Sequence, residues 1–199
     1  MSEITIPFEI HLTTGNLTID RKNVFLELCE EQKVKPLMIE LAKGKYIHQP
    51  MISKVLLANN IDAVLTASEI LAMALVRKQF KVERLKIEVP AENFGLFQEY
   101  NPAFQKYFEW HGKVDYIRTE LLIEMCCKHN AHLSMNALSN QHDKRYITLR
   151  EYGSKQEFDQ RIVHLIDALQ MGNWTLFKQE SEYCIYDNND YLDTNWLTH

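Results

Sequence analysis

Two Glu-x-His pairs open equivalent stretches of this chain, Phe8-Glu9-Ile10-His11 and Phe108-Glu109-Trp110-His111. In an extended strand, side chains two apart share a face, so each glutamate stands beside its histidine. A carboxylate with an imidazole can move protons as general base and acid, and the same pair is a ligand set for zinc, manganese or iron. His11, His111, Glu9 and Glu109 are therefore the candidate catalytic residues, and the identity of any metal or cofactor stays open. Lys86, Lys113 and Arg150 offer positive charge to an anion, and Glu88 stands with them as a ligand-binding candidate. The competing reading is a solvated sheet face held by cross-strand charge pairs, each contributing roughly 0.2 to 1 kcal/mol.

The elements that must position these residues occur twice. Phe8, Ile10 and Leu12 alternate with Glu9, His11 and Thr13, the period-2 pattern of a strand with one buried face, and Tyr107 to Val114 alternates likewise. Leu26-Glu27-Leu28-Cys29 then matches Ile123-Glu124-Met125-Cys126 on a helix, and Leu37-Met38-Ile39-Glu40 matches Leu133-Ser134-Met135-Asn136 on a second strand. A third strand runs from Arg145 to Tyr152, and its first-half counterpart near Met51 is restricted by Pro50 to an edge or a strand start. The second helix opens at Ser154 with Glu157 three residues on, a capping-box pattern, and Asn60 takes the equivalent cap in the first half. Final strands around Arg84 to Glu88 and Lys178 to Glu182 complete β-α-β-β-α-β in each half.

That order predicts an α+β fold, a tandem duplication of a ferredoxin-like unit in which helices cover one face of each antiparallel sheet. The expected boundaries are a first repeat over 1–90, a packed linker over 91–106 that ends near Pro102, a second repeat over 107–186 and a C-terminal tail over 187–199. The tail, with Leu192 and Trp196, is expected to fold back onto the body. The polar side of each first strand then lies on an open sheet face, and the two open faces can form a cleft.

Two family resemblances attach to these strands. His11-Leu12-Thr13 and His132-Leu133-Ser134 form a paired H-x-[ST] that resembles the 2H phosphoesterases. That resemblance implies His11 and His132 as acid and base on a phosphodiester. It departs from the family because His11 matches His111, not His132, in the repeat. Glu109-Trp110-His111-Gly112-Lys113 is similar in outline to the E-x-E-x-K strand of CYTH-type triphosphate tunnel enzymes, which implies polyphosphate and metal binding. Here His111 replaces the middle acid, and Thr13 stands where the first half should have its lysine.

Composition narrows the classes. With 22 basic and 27 acidic side chains the chain is mildly acidic, which argues against a protein that neutralises nucleic-acid phosphates. No charged and apolar leader opens the sequence and no stretch is long enough to span a bilayer, so a cytoplasmic protein with no membrane partner is expected. Cys29, Cys126, Cys127 and Cys184 lack CxxC spacing and read as free thiols. No Gly-rich phosphate loop, nucleophile elbow or RNP-type strand is present. The function expected from the sequence is binding of a small polar or anionic ligand in the cleft. The alternatives are a non-catalytic protein-interaction module and the 2H-like phosphoesterase. The sequence leaves enzymatic activity and oligomeric state open.

Overall fold

The structure, a computed structural model, describes residues 5–99 and 104–196. The opening residues 1–4, Pro102 of the linker and the last three residues of the tail lie outside the described residues. Eight strands run β1 (Ile6–Thr14), β2 (Lys35–Leu41), β3 (His48–Ala58), β4 (Val82–Pro90), β5 (Tyr107–Asp115), β6 (Ala131–Asn136), β7 (Lys144–Glu151) and β8 (Leu176–Asp187). Four helices, α1 (Ile19–Glu31), α2 (Ile61–Arg77), α3 (Thr119–Lys128) and α4 (Lys155–Met171), alternate with them. No described helix is long and apolar enough to cross a membrane.

The strands form one closed antiparallel barrel in the order β1-β3-β2-β6-β7-β5-β8-β4. This corrects the expected pair of ferredoxin-like sheets with open faces. Two seams close the ring. At one, β2 meets β6 through Ile39 with Asn136, Glu40 with Met135 and Leu41 with Ser134. At the other, β4 meets β8 from Lys86 with Asp187 to Pro90 with Glu182. The physical reason is edge satisfaction: an open four-stranded sheet leaves two rows of backbone donors and acceptors unpaired, and closure pairs them. The surface expected to be an open polar face is thus the inside of a barrel.

Alternation decides what points inward. Phe8, Ile10 and Leu12 face outward into an apolar core with Phe25 and Leu28 of α1 and Val64, Leu71 and Leu75 of α2. Phe108, Trp110 and Val114 do the same beneath Leu122 and Met125 of α3 and Phe158, Leu165 and Leu169 of α4. Each such side chain contributes roughly 1.5 to 3 kcal/mol by leaving water, so these two cores fix the strand register that sends Glu9, His11, Glu109 and His111 inward. Gly112 belongs to this packing, because the indole of Trp110 lies where its Cβ would be. Pro50 sits one residue past the last β1–β3 pair, Thr13 with Met51, and is paired with Met38 of β2, so its missing N–H breaks no ladder on the β1 side. Ser154 and Glu157 make both bonds of the capping box on α4, and Asn60 caps α2 by accepting from the Ala63 N–H.

After β8 the chain turns back over one end of the barrel. Gln49 Nε2 donates to the Leu192 carbonyl at 3.1 Å, and Trp196 packs on Leu41 and Ile39. The opposite end is the mouth. Lys35 begins β2, Lys178 lies near the start of β8 and Lys113 near the end of β5. Val55 and Leu57 of β3 are exposed there, at 59% and 68%. The four cysteines are all free, with Cys127 alone exposed.

Candidate functional site

Inside the barrel lies a cavity of about 420 Å³. Every sequence-predicted site residue borders it: Glu9 and His11 on β1, Lys86 and Glu88 on β4, Glu109, His111 and Lys113 on β5, and Arg150 on β7. The wall opposite is apolar, with Leu37, Ile39 and Leu41 of β2 and Met51 of β3. A ligand here meets charge on one side and hydrocarbon on the other.

Glu109 is the most heavily compensated group. Lys86 Nζ donates to its Oε2 at 2.7 Å, and Arg150 Nε donates to its Oε1 at 2.8 Å. Burial pushes its carboxyl up, but Lys86 and Arg150 outweigh burial and hold it well below the usual range. His111 stands 3.6 Å from Glu109 and 3.5 Å from Glu182 through Nε2, while Nδ1 lies 3.0 Å from Thr148 Oγ1. Burial opposes its charge, yet Glu109 and Glu182 raise the imidazole to about 9. At neutral pH His111 is a cation that donates to Thr148.

The first-half pair is arranged differently. Ser53 Oγ donates to Glu9 Oε1 at 2.6 Å, and His11 Nε2 sits 3.1 Å from Glu88 Oε2 and 3.6 Å from Glu9. Lys86 Nζ is 2.9 Å from Glu88 Oε1. The Lys86–Glu88 contact is an ion pair by distance without hydrogen-bond alignment, and among the described residues His11 Nδ1 has no hydrogen-bond partner. Burial pushes Glu88 up, and Lys86 with His11 brings it below its usual value. Glu182 goes the other way. Burial and the charges of Glu88 and Glu9 drive it up to about 8, so it is a neutral carboxylic acid that shares its proton with Glu9. Its contact with His111 is accordingly a charge–dipole contact at neutral pH.

Glu88, Glu109 and His111 place ligand atoms within 4.8 Å of one another, a spacing that suits a divalent metal. Lys86 Nζ, however, already sits between the two carboxylates, so its ammonium fills the cationic role and a metal would have to displace it.

At the plugged end, Asp193 accepts from Arg84 at 3.0 Å and from Arg150 at 2.7 Å. Arg84 also pairs with Asp187, to which the Tyr107 hydroxyl donates at 2.7 Å. Sequence reasoning passes over Asp193, since a tail has no period to reveal a buried face; the sole signal is that the chain beyond Glu180 is acidic without a base. The 2H pairing finds no support in this geometry. His132 does not border the cavity, and among the described residues its ring has no hydrogen-bond partner. Glu109, His111 and Lys113 share the inward face.

The fold and site therefore define a closed antiparallel barrel with a charged internal cavity. No protein-family model and no curated protein matches the chain. Among solved structures, the chain is similar to a protein of unknown function from Galdieria sulphuraria at 12% identity, covering 89% of this chain and 99% of that one with a TM-score of 0.27. It is similar to a heme-binding protein from Thermus thermophilus at 7% identity, covering 91% of both with a TM-score of 0.31. A chlorite dismutase variant from Candidatus Nitrospira defluvii matches at 9% identity, over 96% of this chain and 95% of that one, with a TM-score of 0.30. Likenesses this distant assign neither a fold family nor an activity.

Proposed function

We propose that the protein binds a small anionic molecule inside the barrel, entering between Lys35, Lys113 and Lys178. The observation that carries this reading is the sign of the cavity in a chain whose net charge is −5. Lys35, Arg84, Lys86, Lys113, Arg150 and Lys178 line it, and protonated His111 joins them. Against them stand Glu9, Glu88, Glu109, Glu180 and Asp193 of the lining and Asp187, which pairs with Arg84, while Glu182 keeps its proton. Seven cationic groups against six carboxylates leave a surplus of one positive charge. Lys178 is answered by Glu180, but among the described residues neither Lys35 nor Lys113 has a carboxylate partner. Charge at the mouth of a low-dielectric cleft draws in and retains an anion. Glu9 with His11 and Glu109 with His111 remain the acid–base candidates should the bound molecule be transformed, with His111 as the proton donor.

Thermal-shift and calorimetric titration against phosphate, pyrophosphate, tripolyphosphate and short dicarboxylates tests this. At a ligand concentration a hundredfold above Kd, binding adds about 2.7 kcal/mol and raises Tm by roughly 5 to 10 °C. The Lys35→Ala/Lys113→Ala variant should weaken the response about tenfold, and Lys128→Ala on the outside of α3 should not. A flat response to every anion would sink the proposal.

A further inference from the structure

The plugged end of the barrel carries three buried polar atoms with nothing to bond among the described residues. Trp196 Nε1 and both ring nitrogens of His132 lack partners there, although the two residues are only 7% and 4% exposed. The rings lie together, 5.8 Å between centroids. Trp196 is the exception among the tryptophans, since Trp110 Nε1 donates to Gln179 and Trp174 Nε1 to the Ile117 carbonyl, each at 3.0 Å. A buried donor left unmatched is costly, and a folded chain keeps few of them. Here the segment that brings Trp196 in is specifically seated: Gly44, at φ +118°, presents bare backbone against the Trp196 Cβ, and Gln49 and Arg84 hold the residues before it.

The Trp196 indole N–H and the single N–H of the neutral His132 ring lack an acceptor, and the charges nearby say of which sign. Burial first, and then Lys43 and Arg150, push His132 down to about 4, and both charges that act on the ring are positive. Trp196, Ser134 and Arg150 all border the cavity, which gives a ligand a way in. We propose that this end of the cavity is an oxyanion site, where Trp196 Nε1, which borders the cavity, donates to a carboxylate or phosphate group attracted by Lys43 and Arg150, with the His132 ring packed behind the indole. The inference rests on the cavity being a binding site and adds where an anionic group of the ligand is held.

The test uses the full chain and the indole N–H resonances in proton–nitrogen NMR, with the Trp196 signal assigned through Trp196→Phe. Sodium acetate and inorganic phosphate are titrated separately at ionic strength fixed with chloride. The expected result is a saturable downfield shift of the Trp196 indole alone with one of the two, which also identifies the group as carboxylate or phosphate. The His132 ring should take up a proton at higher pH in the complex, and Trp196→Phe should bind that anion about tenfold less tightly. Persistence of the shift in Lys35→Ala/Lys113→Ala supports the site as separate from the mouth. If anions stabilise the protein while the indole stays still, the inference fails and the mouth reading stands; if neither responds, both fail. An indole already at a hydrogen-bonded position and insensitive to both anions assigns the donors to buried water and overturns the proposal.

Discussion

Glu109 and Glu182 face each other across one β5–β8 pair, yet they should respond oppositely to the same substitution. In Glu109→Gln, Lys86 and Arg150 keep their charge in a buried site and lose a shared counterion. Breaking a buried ion pair from one side costs about 3 to 5 kcal/mol. Glu182→Gln replaces an acid that is already neutral, and the amide N–H can donate to Glu9 as the carboxyl O–H does. At pH ~4, below the unfolded value, its cost should stay below about 1 kcal/mol, and by pH ~6 it should already have vanished. The difference then grows with pH. Unfolded, Glu182 ionises near 4.5, and folded it holds its proton until about 8. Between those values the folded state binds more protons, so this group's contribution is present at low pH and is lost as pH rises through the folded value. At ~1.4 kcal/mol per pKa unit the loss is on the order of 5 kcal/mol, and Glu182→Gln should become the more stable protein by roughly that much at pH ~9. His111, raised to about 9, also loses its contribution as pH rises. For that reason the wild-type curve alone does not isolate Glu182, and the variant-minus-wild-type curve does. Urea unfolding across a pH series measures it. Parallel curves, or a Glu182→Gln cost equal to that of Glu109→Gln at pH ~6, would refute the assignment of a neutral acid.

Two further substitutions test the packing and the cation site. Gly112→Ala places a methyl group inside the fully buried Trp110 indole and should cost roughly 1 to 3 kcal/mol or more in urea unfolding, with a changed near-UV spectrum; a neutral effect would mean that the indole has another place to go. Lys86→Met removes the ammonium from between Glu88 and Glu109 and should create zinc-dependent stabilisation that the unmodified protein lacks, read as a zinc-induced rise in Tm abolished by His111→Ala. Equal zinc responses with and without Lys86 would show that the lysine does not occupy the cation position.

How far the sequence reveals this site depends on which forces are local. The alternation of Phe8, Ile10 and Leu12 with Glu9, His11 and Thr13 is a local signal, because the strand period is imposed by backbone geometry, and the capping box at Ser154 is local for the same reason. Closure is not local. The β2–β6 seam rests on three residue pairs, and the side chains of Ile39, Glu40 and Leu41 carry no mark of which strand they will meet. Without closure, Glu88 and Glu109 read as residues of an exposed face; with it they are 1% and 2% exposed and must find counterions inside. The same step converts an expected cleft into a cavity and brings the acidic tail into it through Asp193.

Closure also explains why two identical Glu-x-His motifs do not behave identically. In the second half the strand beside β5 sets Arg150 opposite Glu109. In the first half the equivalent partner of Glu9 on β3 is Val55. Glu109 therefore has a guanidinium and an ammonium and is firmly ionised. Glu9 has a serine hydroxyl, a histidine and a shared proton. Lys86, which belongs to the first half, spends its charge across the seam on Glu109 as well as on Glu88. The same strand alternation in β1 and β5 thus places the four Glu and His side chains, but the residue opposite on the neighbouring strand, Arg150 for Glu109 and Val55 for Glu9, separates a permanent ion pair from a group that can exchange protons. The carboxylic acid that holds its proton at neutral pH, Glu182, consequently lies beside Glu9, and the fixed charge lies with Glu109 and Arg150.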